Sequence, residues 1–127
     1  MRYLVDTEKS PQQAAEDLEA AVKRNNFGVL HIYDLKQTLK SKGFDLPHEC
    51  RIFEICNPKQ ATEVLTEDMS MNMALPCRIS VYEEGGKTKI GMVKPTALLA
   101  SLSQSKKLMA VAEEVEQKII QMIDEAK

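Results

Sequence analysis

The strongest constraint on the fold lies at the C-terminal end of the chain. Leu108, Val111, Ala112, Val115, Ile119, Met122 and Ile123 recur every three or four residues, while Glu113, Glu114, Glu116, Lys118, Asp124 and Glu125 fill the other face. That period matches one side of an α-helix. Over about 20 residues the helix is a rod of roughly 30 Å. The stripe is not a strict a/d alternation, so an amphipathic helix lying on its own core is expected rather than a coiled coil. On this reading Ile119→Asp is far more damaging than Glu116→Ala, because Glu116 falls on the solvated side.

The upstream segments supply a sheet for that helix to cover. Residues 2–6 read as a short strand, with Tyr3 and Val5 on one side and Leu4 on the other. Ser10-Pro11-Gln12-Gln13 combines an N-cap candidate, a first-turn proline and capping-box spacing. Ala14, Leu18, Ala21 and Val22 continue that helix as far as Asn25-Asn26. Gly28–Asp34 is a second strand, with faces Val29-His31-Tyr33 and Leu30-Ile32 under regular alternation. Asp34 caps a short helix that Gly43 ends. Cys50–Cys56 is a third strand, setting Phe53 and Ile55 against Ile52, Glu54 and Cys56. Asn57-Pro58 starts another short helix, and residues 67–75 form a Met-rich loop. Cys77, Ile79 and Val81 then share one face of a fourth strand. Gly85-Gly86 supplies the positive φ angles of a tight hairpin into a fifth strand, Thr88–Val93. Pro95 opens a last short helical piece.

Consecutive strands usually neighbour one another, so strands two to five run as an antiparallel meander and strand one pairs with strand five. The expected architecture is α+β, β-α-β(4)-α. Its five-stranded antiparallel sheet has order 1-5-4-3-2, with two long helices on one face. No linker or repeat divides residues 1–127, which form a single domain. The second sheet face is partly apolar, carrying Val29, Tyr33 and Ile52. Such a face calls for a cover, either a ligand or a second copy of the chain, and a homodimer formed through strand residues is expected.

Composition removes other classes. Seventeen Lys and Arg against 19 Asp and Glu give a net charge of −2, which argues against a nucleic-acid binder. No apolar run approaches the roughly 18 residues needed to span a membrane. Met1-Arg2-Tyr3-Leu4-Val5-Asp6 lacks a signal-peptide pattern. Three cysteines are too few for a disulfide scaffold. A cytoplasmic protein with reduced thiols and no membrane partner is expected.

Three blocks of the chain carry a family resemblance. They are Phe27-Gly28-Val29-Leu30-His31-Ile32-Tyr33-Asp34-Leu35 with Leu39 and Gly43; Arg51-Ile52-Phe53-Glu54-Ile55-Cys56-Asn57-Pro58 with Ala61 and Leu65; and Leu75-Pro76-Cys77-Arg78-Ile79-Ser80-Val81-Tyr82-Glu83. In combination they resemble the domain-of-unknown-function 302 family of small prokaryotic proteins. The resemblance implies the same β-α-β(4)-α arrangement, grouped with folds similar to TATA-box-binding protein. It implies no activity and no cofactor, and fold kinship with a DNA-binding protein says nothing of function. The family's first block often has a second histidine where this chain has Tyr33, which weakens a His-pair metal site.

Four residues are candidates for a binding site: His31, Cys56, Asn57 and Cys77. The meander places Cys56, at the end of strand three, and Cys77, at the start of strand four, at one end of the sheet. Two thiolates there suit a soft metal or a redox couple, whereas buried Cys also serves as a small hydrophobe and Asn57-Pro58 as a helix start. CxxC spacing is absent, and no metal is identified. Asp34 falls on the opposite strand face from His31, so a Ser-His-Asp triad has no support. Met69, Met71 and Met73 offer thioethers to Cu(I) but equally fill gaps. Gly85-Gly86 is a turn, not a phosphate loop. The favoured reading is a non-catalytic binding module for a small ligand or soft metal near Cys56, Cys77 and His31. Its alternatives are a homodimeric interaction protein without ligand and a thiol-dependent redox enzyme.

Overall fold

The computed structural model describes residues 1–127. The chain runs through β1 (Arg2–Thr7), α1 (Pro11–Arg24), β2 (Gly28–Asp34), α2 (Leu35–Ser41), β3 (Cys50–Cys56) and α3 (Pro58–Glu67). A 3-10 helix, Met69–Ala74, follows, then β4 (Cys77–Glu84), β5 (Lys87–Val93), α4 (Pro95–Ala100) and α5 (Lys106–Ala126). The five strands form one antiparallel sheet in the order β1-β5-β4-β3-β2, as the sequence predicts. No helix is long and apolar enough to cross a membrane.

The helix starts follow the expected capping chemistry. Ser10, Asp34 and Asn57 each accept the backbone N–H of the residue three positions on, at 3.0–3.1 Å. Each satisfies a donor that the first turn would otherwise leave unpaired. Gly85 and Gly86 turn the β4–β5 hairpin at φ 61° and 76°, the left-handed pair that this tight turn requires. Gly91 has a different reason to lack a side chain. A Cβ there would stand 2.6 Å from Leu4 Cδ1 and 2.9 Å from the Tyr3 carbonyl oxygen, so β1 packs directly onto β5 backbone.

The main core lies between the sheet and the α1/α5 layer. Phe53, Ile55, Ile79, Val81 and Ile90 from the sheet meet Leu18 and Val22 of α1 and Ile119, Met122 and Ile123 of α5. A smaller cluster of Met71, Leu99 and Leu108 sits apart from it, with Val64 and Leu65 of α3 against its side. Ion pairs tie the periphery together. Lys9 holds the Asp17 carboxyl below its ordinary range, and Lys89 and Arg24 do the same for Asp6 and Glu125.

Three local readings of the sequence need correction. In β2 the ladder slips between Val29 and His31, so that Val29 faces Ile55 and His31 faces Glu54 with Leu30 as the extra residue. This β-bulge breaks the alternation. Val29 and Ile32 both pack on the core, while Leu30, His31 and Tyr33 are exposed. Val29 therefore does not belong to the open face. The Met-rich segment is a 3-10 helix rather than an irregular loop, capped by Asp68 and inserting Met71 into the smaller cluster. Glu116 is not on the solvated side of α5 but is 9% exposed. Its Oε1 accepts the Thr96 backbone N–H at 3.1 Å and the Thr96 hydroxyl at 2.6 Å. Lys94 precedes α4 and has no oxygen with which to cap it, so Glu116 supplies the missing acceptor from 20 residues away.

Candidate functional site

The sheet parts at one end. β4 stays paired with β3 as far as Cys77, opposite Ile55, and β5 stays paired with β1 as far as Val93, opposite Arg2. Between β4 and β5, however, the ladder stops at Ser80–Gly91. Arg78 and Val93 therefore flank an unpaired gap in the middle of the sheet.

Beneath the gap lies a cavity of about 500 Å³, within the usual range of small-molecule sites, about 300–1,000 Å³. Its walls are Val64, the 3-10 segment through Met71 and Ala74, then Leu75, Pro76 and Cys77, Met92, Pro95, Leu98 and Leu99, and α5 through Leu108, Val111, Ala112, Val115 and Ile119. The cavity lies between the two apolar clusters and explains why they are separate. Arg78, Ser80 and Val93 line it from the gap side, and Arg78 is the sole charged residue of the lining.

Of the four residues singled out from sequence, Cys56 and Cys77 lie near enough for charge on one to act on the other, whereas His31 and Asn57 are placed elsewhere. Cys77 lines the cavity on the helix side, beside the core. Cys56 lies at the same end of the sheet, but it follows the core-facing Ile55 and so points to the opposite face. Asn57 is used as the α3 cap and lines a separate polar cleft of about 260 Å³ with Asn25, Lys59 and Glu63. His31 is exposed at the β2 bulge, its ring edge-on to Tyr33 at 4.3 Å between centroids. Asp34 is occupied by the α2 cap. No group of three His, Cys, Asp or Glu side chains is placed to hold a metal ion.

Thiol chemistry gains no help from the surroundings. All three cysteines are free. Burial pushes the Cys77 thiol up to about 11, with a further contribution from charge on Cys56. Burial also raises Cys56, and burial together with the Asp34 charge raises Cys50. Since the thiolate is the reactive form, Cys77 is expected to react with iodoacetamide at pH 7 roughly two orders of magnitude more slowly than an unperturbed thiol. Mass spectrometry of timed aliquots measures this. Rapid modification of Cys77 in the folded protein would show an activated thiol instead.

The cavity was hidden from the sequence because its walls read as core. Val111, Val115 and Ile119 show the same helical period whether they face packed neighbours or a void. The one local signal is Arg78, a charged residue beside Cys77 in a strand whose other face is buried.

No curated protein matches the chain. Among solved structures it is similar to the crystal structure of an uncharacterized conserved DUF302 protein from Bacillus stearothermophilus. The two share 35% identity over 99% of this chain and 98% of the other, with a TM-score of 0.93. The model of the family described as "Domain of unknown function DUF302" matches residues 3–126. From strand order to these matches the findings agree, and the chain belongs to the DUF302 family.

Proposed function

We propose that the protein is a non-catalytic binding module whose ligand is a small, largely apolar molecule held in the cavity beneath the β4–β5 gap. The observation that carries this reading is an apolar void of about 500 Å³ in a domain whose other elements pack closely. Interiors normally leave few spaces larger than a water molecule, and a concave, mostly apolar space of this size is suited to an apolar guest. Of the four residues proposed from sequence, Cys77 contributes to this site as an apolar wall. The raised thiols count against the redox alternative.

Titration with the neutral fluorophore N-phenyl-1-naphthylamine tests the reading. Saturable binding at one site per chain is expected, and Ala112→Phe, which fills the void, is expected to remove it while the melting transition persists. Absence of saturable binding, or binding unchanged in folded Ala112→Phe, would overturn the reading.

A second reading concerns assembly, and the exposed side of the sheet favours it. Leu30 is 62% exposed, and Leu4 and Tyr33 are also exposed, with Ile52 between the edges. Covering about 400 Å² of apolar surface contributes on the order of 10 kcal/mol before association entropy. A symmetric dimer through this face is the expected assembly. Sedimentation at micromolar concentration should give twice the 14.3 kDa chain mass, and Leu30→Lys should shift it towards monomer. A wild-type monomer that persists on concentration contradicts this reading.

A further inference from the structure

We infer that the ligand carries an anionic head group, with its apolar tail in the cavity and the head at Arg78 in the gap between β4 and β5. This rests on the cavity reading and narrows it to a class: single-chain amphiphiles of the fatty-carboxylate type. The gap is what joins the two halves. Because the β4–β5 ladder ends at Ser80–Gly91, the cavity reaches residues of the open sheet face. Met92 and Cys77 line it from the helix side, Arg78 and Ser80 from the other. A tail enters the apolar part without its polar end having to leave water.

Arg78 is the one charged group in the lining, and it is uncommitted. It forms no ion pair within 4.0 Å and no side-chain hydrogen bond. Glu54 sits across the β3–β4 ladder from it and is the obvious internal partner. The two do not approach within ion-pair distance, and interaction with Glu54 raises the Tyr33 hydroxyl above its ordinary range while the Arg78 charge acts to lower it. A guanidinium with its five donors free, beside a space otherwise walled by apolar side chains, suits a planar carboxylate through paired N–H···O bonds. No acidic residue lines the cavity to repel that charge.

Displacement of N-phenyl-1-naphthylamine by dodecanoate below its micellar concentration and by 1-dodecanol below its solubility limit tests the inference in wild type, Arg78→Met and Arg78→Lys. In wild type the carboxylate is expected to bind at least about tenfold more tightly than the alcohol. The preference should shrink as salt is added. In Arg78→Met it should fall to within twofold while the alcohol's affinity is retained, and Arg78→Lys should keep part of it. Shortening the chain by one methylene should weaken both ligands about fourfold. Equal affinity of the two ligands in wild type, or a carboxylate preference that survives Arg78→Met, would overturn the head-group assignment and leave the apolar cavity standing. Failure of both ligands and of the fluorophore to bind wild type would overturn the cavity reading and this inference together.

Discussion

Ile123→Asp is expected to leave a chain with no cooperative thermal transition in circular dichroism. Ile123 is fully buried between α5 and the sheet and does not border the cavity. An aspartate there loses the packing of a large apolar side chain, about 2–5 kcal/mol. It also strands a carboxylate without a partner, which must either stay charged or take up a proton at further cost. The sum is about 5 kcal/mol or more, against a typical domain stability of about 5–15 kcal/mol. Ile119→Asp is expected to be milder although Ile119 is 1% exposed, because its side chain borders the cavity and water can follow a carboxylate into that space. If Ile123→Asp melts within a few degrees of wild type, the assigned inner face of α5 is wrong.

Glu116→Ala is the second large effect, and it reverses what the helical period alone suggests. The substitution removes the acceptor of both the Thr96 backbone N–H and its hydroxyl. Those groups lie in the first turn of α4, where no other side chain caps the helix. Hydrogen bonds to a charged acceptor contribute about 1.5–3 kcal/mol, and a loss of about 2–3 kcal/mol lowers the melting temperature by roughly 10 °C. Glu116→Gln keeps an acceptor oxygen and is expected to lose about half as much. Glu113→Ala, on the exposed side, should change little. Thermal melts of the three variants side by side measure this. Equal melting temperatures for Glu116→Ala and Glu113→Ala would show that the Thr96 contact contributes nothing.

The architecture was legible because its signals are local and redundant. Cys50–Cys56 alternates cleanly, Ser10-Pro11 and Asn57-Pro58 announce helix starts, and Gly85-Gly86 joins β4 to β5. Once the elements were known, neighbour pairing produced the 1-5-4-3-2 order. The features that escaped are those where a local pattern is overruled by a distant partner or by one residue of slippage. The bulge at Leu30 leaves the β-rich composition of strand two unchanged while moving His31 and Tyr33 away from Val29. Glu116 sits at a helical position that suits a solvated face, and only the uncapped end of α4 gives it a reason to be buried. The candidate site was legible only through Cys77: the end of the sheet where it lies is where the cavity opens, but Cys56, His31 and Asn57 are not among the cavity's walls. A void has no sequence signature, since its lining and a packed core use the same residues.

Whether the cavity receives the ligand can be read from backbone amide chemical shifts during a titration with dodecanoate. The account predicts saturable shifts at Met71, Ala74, Cys77, Arg78, Leu98, Val111 and Val115, which surround the cavity on four different elements. Cys50, Tyr82 and Lys89, on the open face at the opposite end of the sheet, should stay in place. Shifts confined to those open-face residues, or none at millimolar dodecanoate below its micellar concentration, would contradict it.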